Sequence, residues 1–84
     1  MVEKEIENYV RRNLKYLETN GRKLDIQITM SGSSVSGMNI KASFVGDVIT
    51  RVFLDDITSL ASKYRLNFTG IKLEDGKTGV IMLG

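Results

Sequence analysis

The sequence predicts an α+β domain with the element order αββαββ. Two sets of apolar residues predict the helices, because residues three and four positions apart share one helix face. The second set follows the first 43 residues later: Ile6, Val10, Leu14 and Leu17, then Ile49, Phe53, Ile57 and Leu60. Each set precedes two segments in which apolar and polar residues alternate, which indicates a β-hairpin after each helix.

Length and composition favour one small non-catalytic domain. The 84 residues divide into two helix-plus-hairpin halves, about 1–45 and 46–84, and include neither cysteine nor histidine. Disulfides and thiolate nucleophiles are therefore excluded, and the usual general base and transition-metal ligands are missing. We expect no cofactor and no enzymatic activity.

The amino-terminal segment MVEKEIENYV is charged from its third residue, unlike a secretory signal peptide. No apolar run approaches the length of a membrane span. The expectation is a cytoplasmic protein that does not enter a membrane.

The first helix is predicted from about Val2 to Thr19, where Asn20 and Gly21 provide a left-handed stop. Glu7 and Arg11 have the spacing of a favourable ion pair within a helix. One inward stripe is expected to contain Val2, Ile6, Val10, Leu14 and Leu17.

The first hairpin is predicted from strands at 24–30 and 38–45, joined by a loose glycine–serine loop at 31–37. After it, Asp47 is positioned to cap a second helix that ends near Tyr64. The inward stripe of that helix is predicted to be Ile49, Phe53, Ile57, Leu60, Ala61 and Tyr64.

The last hairpin contains Asp75-Gly76, a pair typical of a two-residue type I′ turn. Such a turn places Glu74 opposite Lys77, and this register puts Ile71, Leu73, Val80 and Met82 on one face. A bulge at Gly70 is then expected, because it would bring Phe68 onto the buried face.

The predicted strand order across the sheet is 66–73, 78–83, 38–45, 24–30, with both helices on one face. The segment 78–84 is apolar on both faces and therefore suits a central position. This two-layer arrangement resembles, in topology alone, a ferredoxin-like fold whose first strand has been moved to the end of the chain.

Exposed apolar groups predict the function as an interaction module, most simply a homodimer. With the register above, Ile81 and Leu83 lie on the open face of the sheet, where Val45 joins them. Lys41, Gln27 and Thr29 are expected around these three residues, so the open face or an edge strand would contact a second copy or another protein.

A basic surface on the first helix supports an alternative function, the binding of nucleic acid or another anion. The cations lie on or just beyond the helix face opposite the core: Arg11, Arg12, Lys15, Arg22 and Lys23. Weak binding of a calcium-type cation is a further alternative, at the acidic pairs Asp55-Asp56 and Glu74-Asp75, although neither has the spacing of a calcium loop.

Overall fold

The computed structural model describes residues 2–18, 21–43 and 51–84, which form two helices and four strands. The predicted element order is confirmed. The elements are α1 (Val2–Asn13), a 3-10 helix (Lys15–Leu17), β1 (Asp25–Ser31), β2 (Ser34–Ser43), α2 (Arg51–Lys63), β3 (Phe68–Leu73) and β4 (Thr78–Leu83). Within these ranges, no helix is long and apolar enough to span a bilayer.

The four strands form one antiparallel sheet in the order β1-β2-β4-β3, as predicted. The central position of β4 fits its composition, since both faces of that strand carry apolar side chains. Both helices contribute to one core with the sheet and therefore pack against the same face of it. No helix or strand of the described residues covers the other, open face. The core is built from Ile6, Val10, Leu14, Leu17, Leu24, Met38, Ile40, Ala42, Phe53, Ile57, Leu60, Ala61, Leu66, Ile81 and Leu83.

The first helix is shorter than the predicted one. It ends at Asn13, whose side-chain amide donates a hydrogen bond of 2.8 Å to the Tyr9 carbonyl. Asparagine side chains compete with the helix for backbone partners in this way. The chain then tightens into the 3-10 helix, which keeps Leu17 buried, whereas Val2 at the other end of the predicted stripe is 58% exposed.

The first hairpin is tighter than predicted. Its strands continue through most of the segment 31–37, and only Gly32 and Ser33 form the turn, with Gly32 at a φ of 62°. The register shifts after Thr29, where β2 has one extra residue, Ser36. The Ser36 hydroxyl donates a hydrogen bond of 3.2 Å to the Thr29 carbonyl.

The bulge at Gly70 is confirmed. Phe68 pairs with Leu83 and Gly70 with Met82, so Thr69 is the extra residue of β3. Gly70 has a φ of 147°, which residues with a Cβ atom rarely adopt. The bulge directs Phe68 toward the core, against which it packs half-buried.

The predicted register of the last hairpin is wrong by one residue. Leu73 pairs with Gly79 and Ile71 with Ile81, so the loop contains three residues rather than two. The Asp75 carboxylate selects this loop, because it accepts hydrogen bonds from the backbone N–H groups of Lys77 (2.8 Å) and Thr78 (2.7 Å). The Glu74 N–H group closes the loop on the Thr78 carbonyl at 3.0 Å.

This shift corrects the predicted apolar surface. A one-residue change of register moves every side chain of a strand to the other face. Ile81 and Leu83 therefore face the helices, with exposures of 0% and 3%, and Val80 and Met82 lie on the open face. Val45 lies outside the described residues, as do the predicted cap Asp47 and Ile49.

Candidate functional site

The sheet has two edges, and they differ. The β3 edge is interrupted by the bulge at Gly70 and carries the exposed side chain of Lys72. Bulges and lysines are features that protect an edge against pairing with another chain. The β1 edge has neither, since the extra residue of the first hairpin belongs to β2 and the only charged residue of β1 is Asp25.

The side chains of β1 alternate strictly. Ile26, Ile28 and Met30 face the helix layer and are each half-buried against the core. Gln27 and Thr29 are exposed on the open face, as predicted from the sequence. Because β1 is the outermost strand, its apolar side chains lack a neighbouring strand on one side.

The open face of the sheet is mainly polar. It contains a groove of about 330 Å³, in which Val80 and Met82 are the apolar members. Lys41 forms an ion pair of 2.7 Å with Glu74 across this face, and the hydrogen bond and charge of Glu74 raise the pKa of Lys41. The other polar residues that line the groove are Asp25, Gln27, Asn39 and Lys72.

The basic residues of α1 do not form one uniform surface. The Arg11 guanidinium contacts Glu7 at 3.1 Å and Glu18 at 3.0 Å, and it donates to the Leu24 carbonyl at 3.1 Å. Arg11 is therefore engaged within the fold. Arg12 and Lys15 are exposed and form no ion pair with any other described residue, but the depression that they line also contains Glu5 and Glu18.

Arg22 and Lys23 lie elsewhere, at the end of the sheet where β1 begins. Together with Lys41 they line a depression of about 190 Å³, which Ala42, Ser43 and Thr78 also line. The Arg22 guanidinium donates a hydrogen bond of 3.2 Å to the Ser43 hydroxyl. The sequence identified Arg22 and Lys23 as candidates for anion binding but grouped them with α1. Their proximity to Lys41, Ser43 and Thr78 depends on the pairing of β1, β2 and β4, which no local pattern shows.

The acidic pairs are used in other contacts. Asp56 accepts a hydrogen bond of 2.7 Å from the Tyr16 hydroxyl, and Glu74 pairs with Lys41. The hydrogen bonds from the backbone of Lys77 and Thr78 lower the pKa of Asp75. Asp55 is exposed on α2, and the described part of the chain contains no group of three acidic, histidine or cysteine residues that could hold a metal ion.

The three tyrosines lie along the contact between the helices. Tyr9 and Tyr64 pack edge to face with centroids 6.2 Å apart, and the Lys63 ammonium lies 4.4 Å from the Tyr9 ring centroid. Burial raises the pKa of Tyr64, and it also raises that of Tyr16, to which the hydrogen bond with Asp56 adds. These contacts connect α1 and the 3-10 helix to α2.

The edge of β1, the polar open face and the cationic depression are thus the surfaces from which a function can be argued. No protein-family model, curated protein or solved structure matches this chain.

Proposed function

We propose that the protein is a non-catalytic interaction module that self-associates through the edge of β1. The two copies of β1 pair antiparallel about a twofold axis at Ile28 and join two four-stranded sheets into one. The observation that carries this proposal is the symmetry of the strand DIQITMS, in which apolar and polar positions are arranged alike on both sides of Ile28.

Pairing about Ile28 matches residues of the same kind. Ile26 faces Met30 of the second copy on the helix side, and Gln27 faces Thr29 on the open side. Asp25 faces Ser31, so no like charges meet. The half-buried Ile26, Ile28 and Met30 gain a neighbouring strand, which removes further apolar surface from water.

Two features favour this edge over the open face and over catalysis. The described part of the open face has Val80 and Met82 as its apolar groups within a largely charged and polar groove, which is a small apolar area for a stable interface. The absence of histidine and cysteine from the sequence removes common catalytic groups and supports a binding role.

Charge substitutions on β1 test the proposal. The double variant Gln27→Lys/Thr29→Lys places introduced lysines opposite each other twice in the dimer, while both sites are exposed in the single chain. Sedimentation is expected to show a dimer for the wild type and a monomer for this variant. The control Ser62→Lys/Asn67→Lys adds the same charge at exposed sites away from β1 and stays dimeric.

Mixing gives a sharper result. Gln27→Glu/Thr29→Glu is also expected to be monomeric, but an equimolar mixture with the lysine variant should form a heterodimer, because opposite charges then meet. A wild type that remains monomeric at roughly millimolar concentration, or a lysine variant as dimeric as the wild type, overturns the proposal.

A cysteine pair tests the register. The sequence has no cysteine, so Ile28→Cys introduces a single thiol, at the proposed twofold axis. Directly opposed residues of antiparallel strands have Cα atoms about 4.5–5.5 Å apart, within the range of a disulfide. Mild oxidation should cross-link Ile28→Cys and leave the control Lys72→Cys on β3 uncross-linked; the reverse pattern would assign the interface to the other edge.

A further inference from the structure

We infer that the depression formed by Arg22, Lys23 and Lys41 binds a single phosphate group of a small phosphomonoester. This inference is independent of self-association, because the site lies within one copy of the chain. It also moves the anion site predicted on α1 to the end of the sheet at which β1 begins.

The chemistry of the lining carries the inference. Three cationic residues and two hydroxyl-bearing residues line the depression, and none of the described residues that line it is acidic. Arginine presents a fork of N–H donors that matches phosphate oxygens, lysine adds a point charge, and serine or threonine hydroxyls can donate hydrogen bonds. Arg22 is already oriented by its hydrogen bond to Ser43.

The size of the depression favours one phosphate over a nucleic-acid strand. Its volume is about 190 Å³, and its three cationic residues line this one small depression. A nucleic-acid strand would need several basic residues in a row, each matched to a successive phosphate. The second group of cations, Arg12 and Lys15, lies in a different depression that two glutamates also line.

Glu74 is expected to limit the affinity. Its carboxylate lies 2.7 Å from the Lys41 ammonium, so a bound phosphate dianion would share that ammonium with it. Lysine has three N–H donors, and one of them is directed to Glu74. Neutralising Glu74 removes a competing acceptor and a repelling charge.

The test is a titration with inorganic phosphate, phenyl phosphate and a single-stranded oligonucleotide at low ionic strength, followed by backbone amide shifts. Phosphate and phenyl phosphate should shift the amides of residues 22–23, 41–43 and 78, and chloride at equal ionic strength should not. Arg22→Ser/Lys23→Ser is expected to weaken binding about tenfold or more, since it removes two charge-assisted contacts.

The matched control is Arg12→Ser/Lys15→Ser, which removes the same charge from exposed positions of α1 and should change affinity less than about twofold. Glu74→Gln should strengthen binding. Equal losses in both double variants, shifts that map to α1, or oligonucleotide binding with a salt dependence of several phosphates would each overturn the inference.

Discussion

Arg11 joins parts of the chain that are distant in sequence. Its guanidinium contacts Glu7 one turn earlier, Glu18 beyond the 3-10 helix and the Leu24 carbonyl at the entry to β1. Glu18 also accepts a hydrogen bond of 3.0 Å from the Leu24 N–H group. The residue therefore fastens the end of α1 to the sheet, a structural role that its helical spacing to Glu7 revealed only in part.

Arg11→Met should lower the free energy of unfolding by about 2 kcal/mol, because charge-assisted hydrogen bonds are lost at groups that are about one-third exposed or less. Arg12→Met, at an exposed position, should cost less than about 0.5 kcal/mol. Urea unfolding measures both. Equal effects would mean that the contacts of Arg11 do not hold the α1–β1 connection.

The position of the bulge at Gly70 could be predicted from the packing of its neighbours. The sequence required a change of phase between Phe68 and Ile71 if both were to face the core, and glycine was the residue able to adopt it. The structure has the bulge there, with the positive φ that favours glycine. The benefit of burying an aromatic ring exceeds the cost of interrupting a strand at an edge.

The β3–β4 hairpin shows how a short loop controls a whole strand. A two-residue turn and a three-residue loop both suit an Asp-Gly pair, and the two N–H groups bonded to Asp75 select the longer one. The choice decides which of Val80 and Ile81 is buried. Because side chains alternate along β4, it also decides the character of the open face.

Paired substitutions on β4 test this register. Ile81→Ala should lower the free energy of unfolding by about 3 kcal/mol, since Ile81 is fully buried among core residues. Val80→Ala should cost about 1 kcal/mol or less, because Val80 is only half-buried on the open face. Denaturant unfolding compares them, and a larger loss for Val80→Ala would restore the register predicted from the two-residue turn.

One edge strand of the sheet is protected against pairing with another chain, and the other is not. Natural sheets rarely leave a regular edge that lacks lysines and bulges exposed, because such an edge pairs readily with other strands. The bulge at Gly70 and the side chain of Lys72 protect β3, whereas exposed and half-buried side chains alternate along β1 without interruption. Pairing of β1 with the β1 strand of a second copy would cover this unprotected edge.

Self-association should make stability depend on concentration. Only folded chains pair through β1, so the thermal midpoint of the wild type should rise by on the order of 5 °C when concentration increases about a hundredfold. The variant Gln27→Lys/Thr29→Lys should show a nearly constant midpoint. Scanning calorimetry measures this dependence, and a constant wild-type midpoint would contradict the dimer.

The sequence by itself determined the element order, the strand order, the bulge and most of the inward stripe of each helix, with Val2 as an exposed exception and Ile49 outside the described residues. These features depend on local periodicity and on the number of apolar faces of each strand, which the chain displays directly. The length of α1 was harder to predict, because the side chain of Asn13 and the contact between Arg11 and Glu18 both act at the end of this helix.

Only the tertiary structure decided the face on which Ile81 and Leu83 lie and the meeting of Arg22, Lys23 and Lys41. The face of Ile81 and Leu83 depends on two hydrogen bonds to Asp75, which set the length of the loop. Because side chains alternate along a strand, this small energetic difference moves the side chains of β4 from one face of the sheet to the other. The meeting of the three cations depends on pairing between strands, which brings together residues that no local pattern connects.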